Sequence, residues 1–415
     1  MATPYLPTSG PTPLGSIHVS ERVRRIKPSP STSAADRANQ LRREGRSIVN
    51  LVVGEPDFDT PAPIRAAAAR AMDAGATRYT ALPGTVELRQ AIAAKLAREN
   101  GLAYDVGEIV VTNGAKSAIY TAFAATLEPG DEVIVPAPYW VSYPDMALAC
   151  DGVPVPVACP EAQAFKLAPA QLEAAITPRT RWLVLNSPAN PTGATYSLAD
   201  YEALAEVLAR HPGVLVMTDD IYEHIRFEGG AAPHLLAAAP ELRDRTLAIN
   251  GVSKTYAMTG WRIGWAAGPR ELIRALEVLL SQSAGNACSI SQAAAVEALS
   301  GDQGFVAECV ATYRARRDRT VAGLSAIPGL SCRVPEGAFY LFVNCGGLLG
   351  RTTPDGKLLE TDGEVVLYLL ERAGVAVVAG EAYGLSPYFR LSIAASLEIL
   401  EDGVARIARA VAELR

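Results

Sequence analysis

Lys254 stands in the stretch NGVSKTYAMTGWRIGWAAGP, residues 250–269, among small, hydroxyl-bearing and glycine residues, with Arg262 eight positions further on. A lone loop lysine is ordinarily a surface charge. Kept partly out of water, however, it loses its hold on the proton and becomes an amine nucleophile able to condense with an aldehyde. Its partners should stand just beyond the carboxyl ends of strands, where open α/β sheets bind ligands. Several polar residues do. Asn113, Gly114, Ala115 and Lys116 follow EIVVT; Tyr139 and Trp140 follow DEVIVPAP; Asn190 to Gly193 follow RWLVLNSPA; Asp219 and Tyr222 lie in VLVMTDDIY; Lys254 follows TLAIN.

Pyridoxal phosphate is an aldehyde whose needs match this set. Its ring nitrogen acts as an electron sink only while protonated, which calls for a carboxylate in a poorly hydrated place. Asp219 is the candidate, with Asp220 its rival; either could instead cap an exposed helix. The ring oxygen needs donors, which Tyr222 and Asn190 offer, although singly the first reads as core packing and the second as a turn residue. Trp140 offers an aromatic face, where the alternative is plain packing. The phosphate needs backbone N–H groups at a helix start and a cation, and Gly114, Ala115 and Lys116 open an Ala-rich helix while Arg262 supplies the charge. GAKS lacks the Walker spacing.

These positions require a scaffold of alternating strands and helices. β-Branched runs ending in Gly, Pro, Asn or Asp alternate with helical stretches such as AKSAIYTAFAATL, SLADYEALAEVLAR and RELIRALEVLLSQ, the pattern of βαβ crossovers and a largely parallel sheet. In the last of these Leu272, Ile273, Leu276, Leu279 and Leu280 form a core-facing stripe. From about residue 302 a long charged helix is followed by strands GAFYLFVN, GVAVVAG and YFRLSIAA with helices between, an α+β pattern. The expected fold is α/β. A large domain over 62–301 carries the mostly parallel sheet flanked by helices, and 19–61 with 302–415 forms a smaller α+β domain.

Composition narrows the function classes. The chain has 415 residues, 49% of them hydrophobic, enough for a substantial core. A net charge of −6 argues against a broad nucleic-acid face, and the basic cluster Arg314, Arg316, Arg317 and Arg319 reads as a solvated helix face. Six cysteines without a CxxC pair and four histidines without ligand spacing predict neither a disulfide framework nor a metal site. Residues 1–18, rich in Pro, Thr, Ser and Gly, fit neither a signal peptide nor a membrane anchor, and are expected to be a loose tail on a cytoplasmic protein.

The chain resembles class I aminotransferases of pyridoxal-phosphate fold type I, in particular the bacterial aspartate and aspartate/prephenate subgroup. The resemblance runs from about Val19 to the C-terminus through KPSPS, GEPDFDTP, RYTALPG, ELRQAIA, PYWVSYP, NSPANPTG, SKTYAMTGWRIGW, EGAFY and FRLSIA, weak singly and specific in this order. It implies that Lys254 binds the cofactor aldehyde covalently, that Asp219 partners the ring nitrogen, and that Tyr222 and Asn190 donate to the ring oxygen. Trp140 is the implied stacking ring. Arg262 with the backbone at Ala115 and Lys116 is the implied phosphate site, and Gly114 and Ser253 are further implied cofactor-binding residues. Tyr79 is similar to a tyrosine that reaches a phosphate across a dimer interface, which implies a homodimer with shared active sites. Arg390 resembles the arginine that holds the substrate α-carboxylate, helped by the backbone of Gly54. Lys27 and Lys116 stand where the subgroup handles the distal carboxylate of a dicarboxylic substrate; Lys27 is equally readable as a surface charge.

The implied activity is transamination between an L-amino acid, aspartate or glutamate, and a 2-oxo acid, prephenate included, by ping-pong kinetics. A lyase, decarboxylase or amino-acid oxidase on the same framework is the alternative, and a ligand-sensing regulator is a remoter one. Three departures from the family pattern stand out: Ala189 before NPTG, Gly251 three positions before the lysine, and Gly285-Asn286-Ala287 where relatives carry Ser-x-Pro near the pocket.

Overall fold

The computed structural model describes residues 19–27 and 30–415. The stretch 1–18 read above as a tail lies outside them, as do Pro28 and Ser29.

Strand β1 (Val49–Asn50) precedes the strands of a seven-stranded sheet: β2 (Ile109–Thr112), β3 (Glu132–Ala137), β4 (Val153–Ala158), β5 (Thr180–Asn186), β6 (Leu215–Asp219), β7 (Thr246–Gly251) and β8 (Gly264–Ala267). Their spatial order is β2-β8-β7-β6-β5-β3-β4, parallel throughout except for β8, which runs antiparallel to both neighbours. The near-continuous apolar runs arise because both faces are covered. Val110, Trp182, Val184 and Met217 face one buried cluster; Val111, Leu183, Leu185 and Val216 face the other.

The apolar strands were legible; β4 and β8 were not. VPVPVA contains two prolines, which cannot donate to a ladder, and it is tolerated because β4 is the sheet edge. GWAA lies inside the lysine motif. Helix Arg270–Ser281 buries Ile273, Leu276 and Leu280, with Leu272 and Leu279 partly covered.

A second core surrounds β9 (Ser331–Cys332), β10 (Tyr340–Asn344), β11 (Val375–Ala376), β12 (Val378–Ala379) and β13 (Tyr388–Ser392). An antiparallel sheet of order β12-β13-β10-β9 carries helices Gly304–Ser325 and Leu397–Ala412. GVAVVAG, expected as one strand, is two: β11 pairs in parallel with β1, and β12 with β13. The pairing ties residues 49–51 to this core. Helix Glu21–Arg25 goes elsewhere: Arg22 and Arg25 pair with Asp151, just after helix Ser142–Ala149.

The reading of Arg314, Arg316, Arg317 and Arg319 as a solvated face is corrected. Arg317 is buried, donates to the Pro335 carbonyl at 3.0 Å and lies over the Phe227 ring, while Arg316 holds both oxygens of Asp57 at 2.8 Å. Only Arg314 and Arg319 face solvent. Flat guanidinium groups stack on aromatic rings and fork onto carboxylates, so a charged helix face can be interior.

Candidate active site

A cavity of about 460 Å³ opens where β5, β6 and β7 end and the second core meets them. Asn186 and Asp219 are register partners at the ends of β5 and β6, and the Asn186 amide donates to the Asp219 carbonyl at 2.8 Å while its Oδ1 accepts from the Asn190 N–H at 2.8 Å. That side chain shapes the turn presenting Asn190. The sequence reading passed over it, though it is the polar residue that ends an apolar strand.

Lys254 lines the floor, half-buried, and donates to the Gly54 carbonyl at 2.6 Å. Burial lowers its ammonium from 10.5 to about 8, with Arg262 and Arg390 pushing the same way and Glu55 opposing. Because the shift is downward, the neutral amine predominates above about pH 8. Uptake of pyridoxal phosphate by the cofactor-free protein is therefore expected to quicken up to about pH 8 and level off, measured by stopped-flow absorbance; a rate still climbing towards pH 10.5 would contradict the burial of this amine.

Of the two rival acids, Asp219 faces the cavity. Its Oδ2 accepts from the Tyr143 hydroxyl at 2.5 Å, and burial raises its carboxyl to about 6 despite that bond. Asp220 turns away, accepting from Thr218 at 2.8 Å with His234 3.3 Å off. Tyr143 went unnoticed because it reads as one more apolar residue of a short helix; its place three residues after Trp140, one helical turn, was the available signal. Trp140 lines the wall and meets Tyr143 edge-on at 5.3 Å.

The Tyr222 hydroxyl lies 3.1 Å from that of Tyr340, a third residue the sequence reading missed. Tyr340 also explains Gly54: a Cβ there would sit 2.7 Å from the tyrosine oxygen. Arg390, buried on β13, donates to Asn190 Oδ1 at 3.1 Å and to the Val52 carbonyl at 2.6 Å, and stacks over Tyr340. Its Nε is buried with no partner.

At the other end, helix Ala115–Thr126 begins at Gly114 with no side-chain cap. Gly114 has φ +88°, and a Cβ there would collide with the guanidinium of Arg262. Arg262 is itself left-handed at φ +56° and donates to the Thr259 carbonyl at 2.8 Å. Gly264 lets β8 approach the Gly114-Ala115 backbone more closely than any side chain would allow. Ser253 lines the cavity. Lys116 contacts Ser142 at 3.3 Å and lies over the Trp140 ring; burial, then Arg262, lowers its pKa.

The cavity thus gathers Lys254, Asp219, Tyr222, Asn190, Trp140, Arg390, Arg262, Ser253, Ala115, Lys116 and Gly54, with Gly114 at its edge. It does not gather Lys27, whose side chain is exposed and whose backbone N–H reaches Asp145 at 3.3 Å. Tyr79 is 96% exposed, away from the cavity of its own chain. The Gly285-Asn286-Ala287 turn also stays out of the lining, with the Asn286 amide folded onto the Ala287 carbonyl.

These residues fit pyridoxal phosphate. An uncapped helix start beside a guanidinium suits a phosphate, a buried carboxyl raised by desolvation suits a cationic ring nitrogen, and a desolvated amine suits the aldehyde.

Known proteins agree with this chemistry. Residues 46–407 match the model of the family described as aminotransferase class I and II. An aspartate aminotransferase of Rhizobium meliloti is 53% identical over 94% of this chain and 95% of its own. An aspartate/prephenate aminotransferase of Cereibacter sphaeroides is 52% identical over 94% and 97%. Among solved structures, the Rhizobium meliloti aspartate aminotransferase superposes with a TM-score of 0.95 at 52% identity, covering 96% of this chain and all of that one. The Thermus thermophilus aspartate aminotransferase with maleate gives 0.89 at 41% identity over 95% and 100%. The chain therefore belongs to the class I and II aminotransferases, pyridoxal-phosphate-dependent enzymes of fold type I.

Proposed function

We propose that the protein transfers the amino group of L-aspartate or L-glutamate to a 2-oxo acid, with prephenate among the acceptors, in ping-pong fashion. The observation that carries this reading is the arrangement of charge in one cavity: Arg262 and the uncapped helix start at one end, Arg390 with an unpaired Nε at the other, and the Lys254 amine and Asp219 carboxylate between. The names of the Rhizobium and Cereibacter relatives, and the dicarboxylate maleate with the Thermus structure, favour a dicarboxylic amino acid.

When bound, pyridoxal phosphate supplies an electron sink that makes the proton on the substrate α-carbon removable. The rest falls to the chain. Arg390 orients the substrate by a fork onto its α-carboxylate, and its contact with Asn190 fixes the fork's angle. Lys254, neutral above about pH 8, takes the α-proton and returns it as general base and acid. Asp219, held by Tyr143, keeps a cationic ring nitrogen paired, Tyr222 and Asn190 donate to the ring oxygen, and Trp140 covers one face. Ser253, Arg262 and the Gly114-Ala115-Lys116 backbone take the phosphate. The Lys116 ammonium, beside Ser142 and Trp140, is the cation we assign to the distal carboxylate; Lys27 would have to move to join it.

The reading includes a large unit, 62–301, and a smaller one from 19–61 and 302–415. It also includes a homodimer in which the exposed Tyr79 serves the other subunit's phosphate, and a cytoplasmic setting; among the described residues no helix is long and apolar enough to cross a membrane. The test is a half-reaction screen. Aspartate or glutamate, added without any oxo acid, is expected to convert the yellow protein to its colourless amine form with release of oxaloacetate or 2-oxoglutarate. Loss of carbon dioxide, β-elimination or oxygen uptake instead would place the protein among the lyases, decarboxylases or oxidases.

A further inference from the structure

Tyr222 and Lys254 face the cavity, while the residues next to each turn the other way into a buried polar cluster. Glu223 follows Tyr222. Its Oε1 accepts from the Asn250 amide at 2.5 Å and from the Lys95 ammonium, and its Oε2 accepts from the Asn100 amide at 2.9 Å. Lys95, fully buried on helix Val86–Lys95, also donates to Asn100 Oδ1 at 2.7 Å and lies 3.5 Å from Glu99. Asn250, near the end of β7, accepts from the Gly251 N–H at 2.7 Å. His224 Nε2 lies 2.8 Å from Glu99 and its Nδ1 3.3 Å from the hydroxyl of Thr255, the residue after Lys254.

Glu99, Glu223 and His224 come close enough together to resemble a metal site. Both Glu223 oxygens are already engaged, however, and the Lys95 ammonium stands where a cation would. Burial pushes the Glu223 carboxyl up, but the charges of Lys95 and His224 and the bonds from Lys95 and Asn100 override it and hold it at about 2. Stability alone is a weak reason for such a cluster, since packed apolar side chains often replace buried ion pairs without loss. Its geometry supplies a better one: it joins the turn after β6 to the turn after β7 from behind.

We propose that Glu223 is a positioning residue. By gripping Asn250 and Lys95, with His224 bridging to Thr255, it fixes the turn bearing Tyr222 against the turn bearing Lys254 so that phenol and amine keep their spacing. This rests on the roles proposed above for those two residues. Arg390 sits on β13, in another sheet and outside the cluster, so loosening the cluster should disturb the chemical step and cofactor retention more than substrate binding.

Three variants test this. Misplacement by about an ångström can lower a rate by about 100-fold; on that scale Glu223→Leu is expected to reduce kcat about tenfold or more, to change KM for the amino acid by less than about twofold, and to speed release of pyridoxal phosphate. Glu223→Gln still offers an oxygen to Asn250 and Lys95 and loses only the acceptor for the Asn100 amide, which then faces another donor, so it should recover part of the loss. Thr255→Val, nearly equal in volume, cuts only the His224 tie and should give the same split, about threefold in kcat on that scale. Parent-like kcat and cofactor release in Glu223→Leu, or equal impairment of the Leu and Gln variants, would overturn the proposal. Should the Leu variant not fold, parent-like behaviour of Thr255→Val overturns it instead. A cofactor-loaded parent that fails to transaminate would refute the functional reading, while the release rates would still decide this one.

Discussion

Replacing Lys254 with alanine is expected to leave a protein that still takes up pyridoxal phosphate but turns over about four orders of magnitude more slowly, the upper end of what a positioned acid–base group contributes. Retention is expected because Arg262, the uncapped helix start and Asp219 are untouched. The loss is expected because no other cavity residue is a half-buried amine with its pKa brought to about 8. Lys116 is the nearest substitute, but its ammonium is turned to Ser142 and Trp140. Single-turnover absorbance with aspartate measures the effect; turnover within about tenfold of the parent would remove Lys254 from the proton-transfer role.

The second large effect belongs to Asp219→Asn. The amide keeps the shape and can still accept from Tyr143 but carries no charge, so a cationic ring nitrogen would face a neutral dipole in a place shut off from water. Losing one preorganised electrostatic partner of this kind typically reduces a rate by about 100- to 1000-fold, the loss expected in kcat/KM. A control isolates the cause. A cofactor analogue methylated on the ring nitrogen carries its charge without a carboxylate and should restore part of the lost rate in the variant. A variant that works as well as the parent, or that the analogue fails to help, would assign Asp219 to packing. Asp220 makes the contrasting substitution, since its carboxylate is spent on Thr218 and His234 behind the wall.

What was legible in the chain had a local signature. Five of the seven strands, β2, β3, β5, β6 and β7, announced themselves as apolar runs because both faces are buried, and the residues after them were candidates because parallel strands end together. Lys254, Asp219 and Tyr222 were found that way; Arg390 and Tyr79 needed the family resemblance, since neither an arginine in a strand nor a tyrosine in a loop stands out by type. What stayed hidden depended on partners far off in sequence. GVAVVAG divides because β1 and β13 claim its two halves. Tyr143 and Tyr340 look like core aromatics until Asp219 and Gly54 are seen beside them. Arg316 and Arg317 look solvated until Asp57 and Phe227 arrive.

The reach of Arg390 to the Val52 carbonyl joins residues 338 positions apart. A ribosome making this chain releases Lys254, Asp219 and Arg262 well before the strand that closes the pocket over them. Such non-local closure is slow compared with helix formation. Until then Lys254 lacks part of the burial and the Arg390 charge that lower its ammonium. The amine on which the proposed chemistry depends therefore acquires its full surroundings only when the last strand has docked.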